Sequence, residues 1–240
     1  MMCLVTQPVN HSDPVDNGQS GLACALVSPS PVRAVLWDFG GVILSSPFEA
    51  FNRYEAERGL PRDTIRGINA ANPDSNAWAL LERNEITPAD FDRMFAAEAE
   101  ARGHRIPGAD VLALLAGDVR PAMVRALDIV RAAGFATACL TNNVVSASSE
   151  PTPRQVEVAA IMDRFDHVVE SSKVGCRKPE TRFYEIACEL LGVAPGECVF
   201  LDDLGINLKP AAAMGMRTIK VGDPDVALDE LSTHLGIALR

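Results

Sequence analysis

No apolar run in this chain of 240 residues approaches the ~20 residues that a bilayer-spanning helix needs. Basic residues are few: 22 Lys and Arg stand against 32 Asp and Glu, a net charge of −10. That balance argues against nucleic acid or an anionic membrane held through a broad basic surface, and leaves room only for a local positive site for a small anion. Among the six cysteines (Cys3, Cys24, Cys139, Cys176, Cys188, Cys198) there is no C-x-x-C pair and no framework spacing. Several fall in apolar runs, where cysteine acts as a small hydrophobe. This is the usage of a reducing, cytoplasmic compartment and gives no structural zinc. His11, His104, His167 and His234 form no cluster, and none is assigned a role. There is no internal repeat. Residues 1–31 carry Asn, Ser, Asp, Pro and Gly without period and are expected to be an unstructured leader. Gly21 to Val27 is a short apolar patch, but no basic residue precedes it, so a secretory signal is not expected.

What is present is a globular composition, 48% hydrophobic and 22% charged, and a length that suits one large domain or one domain carrying an insert. The stretch from Ala34 to Leu44 organises the rest. It is an apolar run broken at Asp38-Phe39-Gly40-Gly41. A short continuous apolar run bounded by a turn signal is how a strand buried on both faces of a parallel sheet reads. Asp38 then stands at the carboxyl end of that strand, where open α/β sheets bind ligands. The two glycines allow a sharp turn and a close approach to a ligand. The same residues would also make an ordinary strand cap.

From residue 48 to about 117 the pattern is helical. Phe48 to Gly59 reads as a helix with Pro61 just beyond. Thr87-Pro88 reads as an N-cap and first helical residue, with the helix running to Arg102 and stopping at Gly103. Phe91, Met94, Phe95 and Ala99 share one face of it, and a third helix spans Ala109 to Ala116. The aromatics here, Trp78 included, are read as core rather than ligand pocket. Strands and helices then alternate: helix Pro121 to Ala133, strand Phe135 to Leu140, a polar loop from Ser146 to Pro153, and a helix to about Arg164. Strand His167 to Glu170 follows, then a helix that Pro179 opens and that ends near Gly192. Strand Cys198 to Leu201, helix Asn207 to Met214, strand Arg217 to Val221 and a helix after Asp223-Pro224 complete the chain. Alternation of this kind implies a parallel sheet with right-handed crossovers. The expected fold is α/β: a Rossmann-like parallel sheet flanked by helices, formed by residues 32–46 and 118–240, with residues 47–117 as an inserted helical cap.

Such a sheet places Asp38, Thr141-Asn142, Lys178 and Asp202-Asp203 on one edge. Carboxylates gathered there are costly unless a cation joins them. An all-oxygen donor set suits Mg²⁺, which shares its shell with a phosphate. Lys178, the Thr141 hydroxyl and the Asn142 N–H offer a cradle for phosphate oxygens, and Pro179 at a helix start would aim that helix's positive end at the same anion. A metal, an anion cradle and a free carboxylate are what phosphoryl transfer to Asp requires.

Asp38-Phe39-Gly40-Gly41-Val42, Leu140-Thr141-Asn142, Lys178-Pro179-Glu180 and Phe200-Leu201-Asp202-Asp203 fall in the order of four motifs of the haloacid dehalogenase superfamily. The chain resembles that superfamily over residues 33–240. Within it, the resemblance is closer to the phosphatase domain of soluble epoxide hydrolases and the related domain of some acyl-CoA dehydrogenase family members. It is carried by the run from Val199 to Ala211 and by Val169-Glu170-Ser171-Ser172. The resemblance implies a Mg²⁺-dependent phosphatase working through an aspartyl-phosphate, with a small-molecule or lipid-like phosphate ester as substrate, as a monomer or homodimer. Asp38 would be nucleophile and metal ligand, the Gly40 carbonyl a second ligand and Asp203 a third, with Asp202 orienting the metal shell through water. Thr141, Asn142 and Lys178 would hold the phosphoryl group. Asn207 is read as the cap of its helix, the other reading being a steadying contact to the Asp202-Asp203 loop.

One departure stands out. Phosphatases of this superfamily usually carry a second Asp two residues after the nucleophile, to protonate the leaving oxygen and then activate water. This chain has Gly40 there. Two other readings therefore stay open. One is a module that binds a phosphorylated ligand or a partner with little catalysis. The other is a metal-independent dehalogenase, which the Asp202-Asp203 pair argues against.

Overall fold

The computed structural model describes residues 31–115, 117–143 and 152–240. The expected leader, apart from residue 31, and most of the polar loop after Ser146 lie outside the described residues, as does Ala116 at the expected end of the third helix.

The first strand, β1 (Ala34–Trp37), is shorter than the apolar run that predicts it. The chain leaves it at Asp38 and turns through Phe39–Ile43, with Gly41 at φ +83°. Five helices follow: α1 (Pro47–Glu57), α2 (Thr64–Asn69), α3 (Ala77–Glu82), α4 (Pro88–Glu100) and α5 (Gly108–Ala113). The N-cap expected at Thr87 is present as a full capping box with Asp90. Helices α2 and α3 were not expected. Each is six residues long, too short to display a helical period, and tertiary partners hold both. Buried Glu55 of α1 accepts from the Asp63 and Ile65 N–H groups at the start of α2. Glu98 of α4 accepts from Ala77 N–H at the start of α3, which the Asn76 side chain also caps by accepting from Ala79 N–H.

The rest of the chain is α6 (Pro121–Ala132), β2 (Ala136–Thr141), α7 (Pro153–Met162), β3 (His167–Glu170), α8 (Ser171–Val174), α9 (Thr181–Leu191), β4 (Cys198–Asp202), α10 (Gly205–Ala213), β5 (Arg217–Lys220) and α11 (Pro224–Leu235). The strands form one sheet, order β3-β2-β1-β4-β5, with every pairing parallel. Two expected boundaries move. Pro179 does not open a helix: α9 begins at Thr181, with Glu180 as its N-cap residue, so the expected helix terminus is not at Lys178. Helix α10 begins at Gly205 with Leu204 as N-cap residue, which places Asn207 inside the helix rather than at its cap.

Alternation along the strands divides the core into two layers. Val35, Trp37, Cys139, Val199, Leu201 and Ile219 pack against Met123 and Leu127 of α6 and Leu228 and Leu231 of α11. Ala34, Leu36, Ala138, Leu140 and Phe200 point to the other face, against Phe183, Tyr184 and Ala187 of α9 and Leu208 and Ala211 of α10. This is the three-layer solution of a parallel sheet buried on both faces. Helices α1 to α5 have a separate cluster around Phe51, Ile65, Leu81, Phe91 and Phe95. Trp78 packs against that cluster and meets the Phe91 ring edge-on at 5.8 Å. Met94, expected on the buried face of α4, is 36% exposed. Among the described residues no helix is long and apolar enough to cross a membrane.

Helices α4 and α5 touch through Gly108. A Cβ there would lie 2.6 Å from Asp92 Cα and 3.0 Å from the Phe91 carbonyl oxygen, both backbone atoms that cannot rotate away. Gly108→Ala is therefore expected to cost about 1–3 kcal/mol, the range for overpacking. Gly196→Ala, whose Cβ would meet nothing nearer than 4.0 Å, should stay within about 0.5 kcal/mol of wild type. Urea unfolding of the two variants checks both.

Candidate active site

Strand register builds the site. Trp37 pairs with Leu201, so Asp38 and Asp202, the next residue on each strand, emerge side by side, and Asp38 N–H donates to the Leu201 carbonyl at 2.8 Å. On the other side Trp37 pairs with Cys139, and Thr141 ends β2 two residues later, 6% exposed. From β1 the chain builds outward through β2 and β3, then returns to β4 and β5 on the opposite flank. The crevice between β1 and β4 is thus the topological switch point, where such sheets bind ligands at their carboxyl ends.

Lys178 reaches this edge from the loop before α9. Its ammonium is 2.7 Å from Asp38 Oδ1 and 2.8 Å from Asp202 Oδ2, and the residue is 1% exposed. Burial disfavours the charge on Lys178, but Asp202 and Asp38 outweigh it and hold its pKa above the ordinary lysine value. Asp38 also accepts from Phe39 N–H at 2.6 Å through Oδ1, so it serves as the local strand cap as well. Both of these contacts fall on Oδ1, and Oδ2 is the oxygen left for a ligand. Burial pushes the Asp38 carboxyl well above the carboxylate range; Lys178 opposes this, and the charges of Asp202 and Asp203 add to it.

Asp202, fully buried, is held on three sides: by Lys178, by Leu204 N–H at 2.8 Å and by the Asn207 side-chain amide at 3.1 Å from each oxygen. Asn207 therefore steadies the Asp202 loop from within α10, and the capping role expected for it is not what the structure shows. Asp203 accepts from Ser46 Oγ at 3.0 Å. Its carboxylate lies over Gly41, where a Cβ would come 2.3 Å from Asp203 Cγ. Burial raises the Asp203 carboxyl, and the Asp202 charge raises it further. Gly40 has φ −73° and ψ 127°, and a Cβ there would meet nothing within 4 Å.

The sequence-predicted residues Asp38, Asp202, Asp203 and Lys178 are thus brought together, with Gly40 and Thr141 at the same edge. The Asn142 side chain has a further task beside the N–H expected for the cradle. It grips the Lys178 backbone, accepting from Lys178 N–H at 2.9 Å and donating to the Lys178 carbonyl at 3.0 Å, which leaves only the Asn142 backbone N–H for an anion. Ser46, Glu82 and Arg177 were not anticipated. Their partners lie far off in sequence, and no local pattern marks them.

The donor set fits a hard divalent cation. One carboxylate oxygen each from Asp38, Asp202 and Asp203 lies within 4.8 Å of the others. Among the described residues Lys178 is the cation paired with this group, so negative charge remains in excess. Oxygen ligands of this kind hold Mg²⁺ or Ca²⁺ rather than a soft metal.

Comparison with known proteins agrees with this geometry. The family model for haloacid dehalogenase-like hydrolase matches residues 32–215. Acyl-CoA dehydrogenase family member 10 of Mus musculus is 35% identical over 98% of this chain and 22% of its own length. Bifunctional epoxide hydrolase 2 of Sus scrofa is 31% identical over 87% of this chain and 40% of its own. The chain thus spans about a fifth to two fifths of these relatives. A Mycobacterium tuberculosis protein named as a phosphatase is 34% identical, over 79% of this chain and 87% of its own length. A solved haloacid dehalogenase family enzyme of Bacteroides thetaiotaomicron, in complex with magnesium and inorganic phosphate, shares the fold at TM-score 0.54 and 20% identity, over 80% of this chain and 96% of that one.

The raised Asp203 carboxyl makes a prediction for the metal-free protein. Below the ordinary aspartate range both folded and unfolded states carry the proton, and the group does not affect stability. As pH rises from there toward the raised folded value, the unfolded chain releases its proton first, so stability falls. Asp203→Asn removes that penalty and keeps an oxygen for Ser46. With metal removed by chelation, this variant should unfold at higher urea than wild type at neutral pH and lose less stability between acid and neutral pH.

Proposed function

The chain belongs to the haloacid dehalogenase-like hydrolase family, and from that premise we propose that it is a Mg²⁺-dependent phosphatase acting on a phosphate monoester through an aspartyl-phosphate on Asp38. The observation that carries the reading is Lys178 held between Asp38 and Asp202, with an Asp203 carboxylate oxygen within 4.8 Å of an oxygen of each Asp. The relative named as a phosphatase, which this chain covers over most of its length, supports the same reaction class.

Asp38 Oδ2 attacks phosphorus: an O–P bond forms, the ester O–P bond breaks, and the leaving oxygen departs with the electron pair. Lys178 favours the ionised form of Asp38 against its burial and offsets charge on the phosphoryl oxygens. The Thr141 hydroxyl and the Asn142 N–H donate to those oxygens, as preorganised donors that need no rearrangement during the reaction. Asp38, Asp203 and the Gly40 carbonyl would hold Mg²⁺, with Asp202 setting the outer positions; bound there, the ion supplies Lewis-acid neutralisation of the phosphoryl charge. Residues 47–117, whose helices carry their own apolar cluster, are read as the cap that selects a small or lipid-like ester.

Gly40 favours one further reading. With no side chain at the position of the usual proton donor, a slow phosphatase grades into a module that binds phosphorylated ligands. Phosphate release from an aryl phosphate separates them: release that needs Mg²⁺ and stops both with EDTA and in a well-folded Asp38→Asn variant is the expected result. Equal release by EDTA-treated protein would exclude the metal role.

The missing donor also makes the rate depend on leaving-group acidity, so aryl phosphates should be cleaved much faster than alkyl phosphates. The backbone at Gly40 lies in the extended region, open to any residue, and the space for a side chain is clear. Gly40→Asp should therefore fold normally and speed leaving-group release from alkyl phosphates more than from aryl ones, up to about 10²–10⁴-fold, the usual yield of general acid–base help. A wild type that releases the leaving group from both classes equally fast, in the first turnover, would show that another group donates the proton.

A further inference from the structure

The loop carrying Lys178 is held by α3 on both sides of that residue. On one side Arg177 Nη2 lies 2.5 Å from Glu82 Oε2, and Arg177 Nη1 donates to the Pro73 carbonyl at 3.0 Å. On the other, Glu180 Oε1 accepts from Arg83 Nε at 3.1 Å and Nη2 at 2.6 Å. Between them, the amide of Asn142 that grips the Lys178 backbone also donates to Glu82 Oε2 at 3.3 Å. Glu82 is 5% exposed. One buried carboxylate from the helical segment thus touches the residue before Lys178 and the side chain that fixes the backbone of Lys178.

We propose that Glu82 is a positioning residue for Lys178: seating α3 on Arg177 and Asn142 sets the backbone from which the Lys178 ammonium reaches Asp38 and Asp202. The role rests on the reading of Lys178 as part of a phosphoryl-transfer site. Two physical arguments support it. A lysine head sits on a flexible four-carbon stem, so its placement depends on where the backbone is anchored. An ion pair buried at a seam is often no more stabilising than apolar residues of the same size; what the pair adds here is direction, because Glu82 bridges two donors that flank one loop. Seating of the helical segment and assembly of the charged site then become a single event, and a site with the segment displaced is left with Lys178 misplaced.

Two readouts test this on the full chain, one of them independent of activity. The chain has four lysines, Lys173, Lys178, Lys209 and Lys220, so acetic anhydride labelling can be followed residue by residue by mass spectrometry on the metal-free protein. In Glu82→Gln, labelling of Lys178 should rise about tenfold or more over wild type. With Mg²⁺ and an aryl phosphate, kcat should fall on the order of 10- to 100-fold, the scale of a remote misplacement of about 1 Å, with little change in KM. Arg177→Gln cuts the Glu82 link from the other end while leaving the Asn142 grip in place, and it should raise Lys178 labelling in the same way, which keeps the test decisive if Glu82→Gln does not fold. Phe95→Leu loosens the core of the helical segment without touching this link, and it should leave Lys178 labelling and kcat near wild type. Unchanged Lys178 labelling in Glu82→Gln or, where that variant does not fold, in Arg177→Gln, or an equal rise in Phe95→Leu, would overturn the proposal. If wild type releases no phosphate at all, the phosphatase reading fails while the labelling still decides the role of Glu82.

Discussion

The ammonium of Lys178, almost fully buried, lies 2.7 Å from one carboxylate and 2.8 Å from another, with a third beside them. Desolvation makes each of these charges expensive alone, and only their mutual contact makes the group tolerable. The surrounding structure serves that contact. Parallel register sets Asp38 and Asp202 abreast on β1 and β4. Asn207 and the Leu204 N–H hold Asp202 from below. The absence of a Cβ at Gly41 lets Asp203 close over the turn. Removing one partner of a buried ion pair typically costs about 3–5 kcal/mol, because it leaves an unpaired charge, so the site and the stability of the sheet edge are linked.

The residual negative charge has a functional consequence. Three carboxylates against one lysine leave an electrostatic demand that a divalent cation meets, and the oxygen-only donors select a hard one. The same arrangement raises the Asp38 carboxyl through burial, against the opposing charge of Lys178, so a cation bound beside it would favour the ionised form of the proposed nucleophile. Asp38 and the acidic group proposed to hold the cation are therefore one electrostatic unit. This favours phosphoryl transfer over a reaction that needs no metal.

Much of this was legible in the sequence because parallel strands are short apolar runs, and polar residues at their carboxyl ends must gather on one edge. Asp38, Thr141, Asp202 and Asp203 follow from that rule, and Thr87 from capping chemistry alone. What was hidden depends on partners distant in sequence. Asn207 follows a helix start that local pattern places two residues late: Gly205 and Ile206 are already helical, behind Leu204 as N-cap residue. Pro179 reads as a helix opener, yet the chain turns once more and starts α9 at Thr181. Helices α2 and α3 are too short for periodicity to register. Glu82 sits 60 residues from Asn142, and Arg83 sits 97 from Glu180, so nothing in their neighbourhood announces the seam they build.

The absence of a side chain at Gly40 bears on both halves of the proposed reaction, because the group that protonates the leaving oxygen is also the one that activates water against the phosphorylated Asp. With an aryl phosphate, whose leaving oxygen needs no proton, hydrolysis of the proposed acyl phosphate would then be the slow half, and the phosphorylated form would accumulate. Mass spectrometry of protein quenched in acid during turnover of an aryl phosphate with Mg²⁺ tests this most directly. The account predicts the mass of one phosphoryl group on the peptide containing Asp38 and none there in the metal-free control. Continued phosphate release with no phosphoryl group on that peptide, or with the group on a different residue, would contradict it.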